Sequence, residues 1–269
     1  LLLPALVTVL PLFLLLTGSL MDVQEIRERL MPVFTGEGSF FFTAIPDYPT
    51  FLNYEKLLLE TPQFFALFWN SMRMTGAVLA GQLLVAVPAA FGFAVYKGKG
   101  SRLLFSLYTV LMLIPFQVTM LSSYLVLTRL HLMNTQWAVI LPAVFSAFPV
   151  FLCYGGFSAI PQAMLEAARI DGAGEAGLFL RIGLPLGRGG ICSALILGFL
   201  ECFNLIEQPM AFLDDKSLWP LSLYLPQITL SQAGFAFCAS VMMLIPAVFV
   251  FALGQDHLEQ GIIYSGLKG

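Results

Sequence analysis

Polar residues that could do chemistry are gathered in two short stretches of an otherwise apolar chain. The first is EAARIDGAGEAGLFLRIGLP (166–185), which holds three acids, two arginines and four glycines. The second lies inside an apolar run and contains Glu201, Asn204, Glu207 and Gln208. Polar groups are costly to bury in apolar surroundings without partners, so their presence there indicates pairing or function. These two stretches are the candidate sites.

Neither stretch has the residues of a catalytic centre. The chain has no GxxxxGK[ST] phosphate cradle, no HExxH and no GxSxG. Its two histidines, His131 and His257, are isolated, and its four cysteines form no CxxC pair. We therefore predict a protein that is not an enzyme and binds no metal. A net charge of −3 without a basic face also argues against a nucleic-acid partner.

The pattern of the first stretch predicts two short helices joined by a tight turn. Pro161 suits the first turn of a helix, and Gly172 suits the left-handed residue after a helix end. The intervening QAMLEAARID places Met164, Ala167, Ala168 and Asp171 on one face. Such a face lets another surface approach closely. We interpret this helix as a docking element; the alternative is an ordinary solvated loop.

The composition predicts that both stretches belong to a membrane protein. Of 269 residues, 58% are hydrophobic and 11% charged, whereas soluble domains have about 25% charged residues. The long apolar runs can cross a ~30 Å hydrocarbon core, where the backbone must be helical. We predict an all-α membrane protein, a single transmembrane domain over 1–269 with a polar loop at 161–190. Its six spans are 1–20, 74–96, 103–128, 137–160, 191–213 and 233–255. Kinks are expected at Pro88, Pro115, Pro142 and Pro149.

Basic residues in short loops predict the orientation of the spans. The loop KGKGSR and the later Arg169, Arg181 and Arg188 fall on the same side in a six-span count. We therefore expect both termini and the polar loop 161–190 to be cytoplasmic. A secretory signal peptide is the alternative for residues 1–20. Since no basic region precedes them and no small-residue cleavage site is evident, we interpret them as a span.

Two motifs give the chain a resemblance to a known family. The first stretch resembles the EAA loop of permease subunits of binding-protein-dependent ABC importers. It matches that loop without a gap at Glu166-Ala167-Ala168, Asp171-Gly172, Ile182 and Leu184-Pro185. The sequence LEQGIIYSGLKG (258–269) resembles the tail of carbohydrate-importer permeases of the maltose type. With NY at 53–54 and FWNSM at 68–72, the resemblance covers about residues 50–269.

The resemblance implies a type I importer fold with a cytoplasmic coupling helix between spans four and five. Glu166, Ala167, Ala168 and Asp171 would contact a cleft of a separate ATPase, with Gly172 as the turn. The chain itself would bind no cofactor, because ATP and magnesium would lie in the ATPase. Its partners would be a second permease, identical or different, two ATPase subunits and an extracytoplasmic solute-binding protein. The complex would lie among the lipids of a prokaryotic inner membrane.

The second stretch predicts part of the path of a solute. Glu201 is ten residues into the run that begins at Ile191, about 15 Å along a helix and near the bilayer midplane. Leu205 stands where the family often has a glutamate. The candidate path residues are Glu201, Asn204, Glu207, Gln208 and, from the third span, Gln117. Hydrogen bonding to the partner permease is the alternative role for these side chains.

Three functions are compatible with these features. The first is a membrane subunit of an ATP-driven importer of a carbohydrate or related polar solute. The second is the same machine acting on a solute that is not a sugar. The third is an ABC-type mechanotransducer that moves no solute.

Overall fold

The computed structural model describes residues 2–29, 45–225 and 232–266, and throughout these ranges regular structure is helical, with no strand. The all-α class predicted from the sequence is confirmed. The predicted carbohydrate-type tail lies largely outside the described residues: the backbone is described to Gly266, but the side chains from 259 onward are not.

The helices fall into long apolar elements and short connecting ones. In chain order they are α1 (Leu2–Ser19), α2 (Val23–Arg29), α3 (Leu52–Glu55), α4 (Pro62–Val95), α5 (Lys99–Met112), α6 (Phe116–Arg129), α7 (Trp137–Val144), α8 (Ala147–Ser158), α9 (Gln162–Ile170), α10 (Glu175–Gly177), α11 (Leu184–Phe203), α12 (Glu207–Phe212), α13 (Leu221–Tyr224) and α14 (Ala233–Gly266). Wider π-helical turns follow α3 at Lys56–Glu60 and join α10 to α11 at Leu178–Gly183.

Four helical segments in the described chain are long and apolar enough to cross a membrane. They are Pro62–Val95, Trp137–Ser158, Glu175–Phe203 and Ala233–Asp256. A fifth crossing is added if α5 and α6, bent by 102°, count as one broken span. The apolar part of α1, Pro4–Ser19, is shorter than these segments.

The elements differ from the predicted spans at several places. α4 begins at Pro62, ahead of the predicted 74, and a short break at 145–146 divides 137–160 into α7 and α8. The run 103–128 is not one helix, because α5 ends at Met112 and α6 begins after Pro115, whose ring nitrogen has no N–H to donate. The run 191–213 is also interrupted. Its helix begins earlier than predicted, within the continuous segment Glu175–Phe203, and a break over 204–206 separates it from α12.

The chain divides into two compact units. One comprises residues 1–71 and 219–248, and the other comprises residues 72–218 and 249–269. Both candidate stretches belong to the second unit.

The first unit is held by polar contacts at the end of α1. Ser19 accepts a hydrogen bond from the Tyr54 hydroxyl at 2.8 Å, and its carbonyl lies 3.3 Å from the Cys238 sulfur. On α2, the carboxylate of Glu25 is 5% exposed and accepts a hydrogen bond from the backbone N–H of Asp47 at 2.9 Å. The N-terminal and C-terminal parts of this unit are thereby joined.

In the second unit, α8 and α11 approach each other through glycines. A Cβ added at Gly190 would lie 3.0 Å from the Cα of Gly156, closer than real Cβ contacts normally come. At Gly187 an added Cβ would overlap the ring of Phe157. Small residues allow such close helix packing in membranes, where van der Waals contact replaces the hydrophobic effect. This contact fixes the two helices that flank the candidate docking helix α9.

Replacing Gly190 with valine should destabilise the second unit by about 1–3 kcal/mol, because the new side chain meets backbone rather than a movable side chain. The thermal unfolding midpoint of the detergent-purified protein measures this. Gly92→Ala is the matched control, since an added Cβ there meets nothing within 4 Å. Equal midpoints for the Gly190→Val protein and the control would contradict the packing described.

Candidate functional site

The first stretch forms a helix, a tight turn and a second helix. Gly172 has a φ of +85° and its N–H donates to the carbonyl of Arg169 at 3.0 Å. The N–H of Ala173 donates to the carbonyl of Ala168 at 2.9 Å. These two bonds make a Schellman motif, which satisfies the last carbonyls of α9. Pro161 precedes the first residue of α9, so both helix boundaries lie where the sequence predicts them.

One face of α9 is packed and the other is open. Leu165 is buried in a cluster that includes Phe91 of α4 and Phe157 of α8. The exposed residues are Ala163, Met164, Glu166, Ala167, Ile170 and Asp171. Ile170 is 86% exposed, which is unusual for a large apolar side chain in the last turn of an amphipathic helix.

The structure corrects the predicted face at one position. Ala168 is half-buried and packs against the cluster that contains Leu165, so it does not share the open face with Ala167 and Asp171. The physical reason is that Ala168 lies three residues after Leu165, on the side of α9 that contacts this cluster. Ala163, one turn earlier than Ala167, takes its place on the exposed side.

Three polar side chains that the sequence did not single out meet beside this turn. Glu175 accepts a hydrogen bond from the hydroxyl of Tyr96 at 2.6 Å and pairs with Arg169 at 3.3 Å. The hydrogen bond to Glu175 raises the pKa of Tyr96. Tyr96 and Glu175 are 79 residues apart in sequence, so no local spacing could have indicated the pair.

The second stretch lies at a break between helices. α11 ends at Phe203, and the amide of Asn204 donates back to the carbonyl of Leu200 at 2.8 Å. Beyond the break, the carboxylate of Glu207 accepts a hydrogen bond from the amide of Gln117 at 2.7 Å. Gln117 follows Pro115 at the break between α5 and α6, so the interruptions of two apolar runs meet at this bond.

The other three candidate path residues lie close to Glu207 in the sequence but do not take part in this hydrogen bond. The side chains of Glu201 and Asn204 are exposed. Gln208 is partly buried, and its side-chain oxygen has no hydrogen-bond partner among the described residues. Of the five predicted residues, Gln117 and Glu207 are therefore the two that the structure brings together.

Comparison with known proteins identifies the family. Residues 82–264 match the family of the binding-protein-dependent transport system inner membrane component. The chain belongs to this family. The matched region contains α9, its turn and the Gln117–Glu207 bond, so both candidate sites lie in the family's shared part. The chain is thus a multi-pass membrane component of a transport system rather than an enzyme, and α9 is its coupling helix.

Relatives and solved structures agree with this placement. The arabinooligosaccharides transport system permease protein AraQ of Halalkalibacterium halodurans is 29% identical over 227 residues, covering 83% of this chain and 81% of that protein. A bacterial ABC transporter involved in the import of the acidic polysaccharide alginate contains a chain with a TM-score of 0.79 and 20% identity, covering 94% of this chain and 92% of that one.

A second solved structure has the same fold. It is the bacterial alginate ABC transporter in complex with an alginate pentasaccharide-bound periplasmic protein, in which the matching chain has a TM-score of 0.62 and 15% identity. The match covers 94% of this chain and 90% of that one. The predicted importer permease fold is confirmed by these similarities.

Replacing Gly172 with alanine should strain the turn by about 1–2 kcal/mol, because an L side chain is disfavoured at its positive φ. Hydrogen exchange at the amide of Ala173 should then be about 5- to 30-fold faster, since that amide bonds across the turn. Gly174→Ala is the control: its φ is −72° and an added Cβ meets nothing within 4 Å. Equal exchange in both variants would show that Gly172 is not needed for the turn.

Proposed function

We propose that this chain is one of two membrane subunits of an ATP-driven importer that carries an oligosaccharide into a prokaryotic cell. The relative AraQ is a permease for arabinooligosaccharides, and the structural neighbour takes part in alginate import. Both solutes are chains of sugar units, although one is acidic. The proposed substrate class is therefore an oligosaccharide, either neutral or acidic.

The exposed face of the coupling helix is the observation that carries the coupling part of the proposal. Ile170 and Met164 present apolar surface there, next to the small Ala167 and the carboxylates of Glu166 and Asp171. A small, partly apolar surface with acids at its edge suits a cleft with polar or basic rims. We assign that cleft to a separate ATPase subunit, which would hold ATP and magnesium.

The solute path would pass the break where Gln117 meets Glu207. Irregular backbone at membrane depth is tolerated where it is covered by protein or lines a water-filled cavity. Two broken spans with polar side chains therefore favour an aqueous passage over lipid contact. Glu201, Asn204 and Gln208 would extend the polar lining of this passage along the chain.

The proposal includes the partner subunits of this chain and its orientation in the membrane. The complex would contain a second permease, identical to this chain or different, two ATPase subunits and an extracytoplasmic solute-binding protein. The coupling helix and both termini would lie in the cytoplasm, on the same side as the basic loop 97–102. Membrane lipids would cover the apolar outer faces of the long helices.

Uptake by the reconstituted complex tests the proposal. Proteoliposomes holding this chain with its co-expressed partners should accumulate labelled arabinooligosaccharides or alginate oligosaccharides when ATP is supplied on the side of the coupling helix. Flux of a solute that is not a sugar, with neither oligosaccharide moving, would replace the substrate class. ATP hydrolysis stimulated by the binding protein without flux of any solute would favour the mechanotransducer.

The path is tested in the same vesicles. Gln117→Leu removes the donor to Glu207 and should lower uptake roughly fivefold, the effect of about 1 kcal/mol. Thr119→Val is the control on the same helix, because the Thr119 hydroxyl bonds only to the backbone of its own helix in the described structure. A Gln117→Leu protein with unchanged uptake would place the solute path elsewhere.

Docking is tested by adding charge to the exposed face. Ile170→Glu should reduce co-purification of the ATPase roughly tenfold, because a charge placed in the apolar part of this contact must be desolvated. Ile45→Glu is the matched control, since Ile45 is 75% exposed and lies in the first unit. If Ile170→Glu retains the ATPase as the control does, the ATPase contact lies elsewhere.

A further inference from the structure

The coupling helix is attached to its unit by one polar cluster that the proposed function leaves unexplained. Tyr96, Arg169 and Glu175, here called the clip, join three different elements. Tyr96 is the residue that follows α4, Arg169 lies in the last turn of α9, and Glu175 is the first residue of α10.

Each member of the clip is held by regular backbone. The N–H of Tyr96 donates to the carbonyl of Gly92 at 3.0 Å, so the helical pattern of α4 continues to the residue that carries the hydroxyl. Glu175 starts a helical segment that runs unbroken to Phe203. A carboxylate at a helix N-terminus is also favoured by the helix dipole. The clip therefore joins the ends of two apolar spans to the coupling helix.

The geometry of the clip makes Glu175 its centre. One oxygen accepts from the Tyr96 hydroxyl at 2.6 Å, and the guanidinium of Arg169 reaches the two carboxylate oxygens at 3.3 and 3.5 Å. Removing Glu175 would thus release both partners. Removing the Tyr96 hydroxyl would release α4 and leave the pair within the helix–turn–helix intact.

The location of the clip indicates a role other than stability. Its side chains are partly exposed, and ion pairs in such positions contribute little to folding free energy. The apolar cluster around Leu165, Leu178 and Phe91 already holds α9 on the unit. The clip instead restrains the position of the turn, because the short hydrogen bond from Tyr96 to Glu175 limits movement of the turn along the end of α4.

We propose that Tyr96, Glu175 and Arg169 are positioning residues that make the coupling helix and the end of the second span move as one body. The inference rests on the proposed function, in which an ATPase displaces α9. In this scheme the chain itself links α9 to α8 and to α11. The apolar cluster around Leu165 and Phe91 packs α9 against α4, and the clip adds a directional hydrogen bond to the end of α4.

Spin labels test the clip without any solute. In a variant whose four native cysteines are replaced, labels at Gly92→Cys and Gly174→Cys report the distance between α4 and the turn after α9 in the purified complex. Both positions have open space for a side chain, and Gly174 lies outside the proposed docking face. Adding Tyr96→Phe should broaden the distance distribution. Tyr124→Phe is the control, because the Tyr124 hydroxyl is similarly exposed and has no hydrogen bond among the described residues.

Coupling is measured on the same variants as oligosaccharide taken up per ATP hydrolysed. Tyr96→Phe should lower this ratio roughly fivefold, at the lower end of ordinary coupling between sites. Arg169→Glu should lower it further, and adding Glu175→Arg should bring it back to the level of the Tyr96→Phe protein, since the ion pair is rebuilt with its charges exchanged while the acceptor for the Tyr96 hydroxyl stays absent. If the clip only stabilised the fold, the ratio would not change in variants that still assemble.

The outcomes separate this inference from the proposed function. If the wild-type complex moves neither oligosaccharide, the proposed substrate class fails while the label distances still test the clip. An unchanged distance distribution in the Tyr96→Phe protein would overturn the inference, and so would an unchanged ratio of uptake to ATP hydrolysis.

Discussion

A backbone that crosses lipid must satisfy its own hydrogen bonds, and this constraint decides where the chain is permitted to be irregular. Long helices satisfy this requirement with their own backbone hydrogen bonds. The interruptions that follow Met112 and Phe203 do not satisfy it, because each leaves carbonyl or N–H groups without helical partners. Their polar side chains meet at Gln117 and Glu207. Two interruptions therefore lie at one place, and a solvated passage there would lower the free-energy cost of their unpaired backbone groups.

The same constraint explains why the coupling element is built outside the long helices. A helix that ends and reverses direction exposes carbonyls, and the Schellman motif at Gly172 satisfies them from within the turn. Beyond the turn, the segment from Glu175 to Phe203 is continuous, and close glycine contacts press it against α8. A displacement of the turn would therefore move α8 and α11, which are tightly packed, and would not be lost in a flexible loop.

Much of this arrangement could be predicted from the sequence because it depends on local residue types. Gly172 after a three-turn helix indicated the turn, and long apolar runs indicated the major helices. Ala168 shows the limit: helical spacing placed it with Ala167, but which side of a short helix is covered depends on the elements packed against it. Pro115 indicated a kink, and a bend of 102° exceeds what a proline within a continuous helix explains.

Contacts between distant residues could not be predicted in the same way. Gln117 and Glu207 were both named for their polarity, yet their pairing follows from two helix breaks that come together across 90 residues. Tyr96 carries no such signal in the sequence, since a tyrosine at the end of an apolar helix is ordinary in membrane proteins. Its partner Glu175 lay within the stretch first noticed, where charge alone gave no indication of the contact.

The open space around Gly172 has a chemical consequence. An added Cβ there meets nothing within 4 Å, so what excludes other residues is the sign of φ and not a lack of room. The turn thus disfavours L residues because of their chirality and not because of their size. A mirror-image residue such as D-alanine, introduced by chemical ligation, would adopt this backbone without strain. The handedness of the residue at this position thus decides whether the joint keeps its geometry.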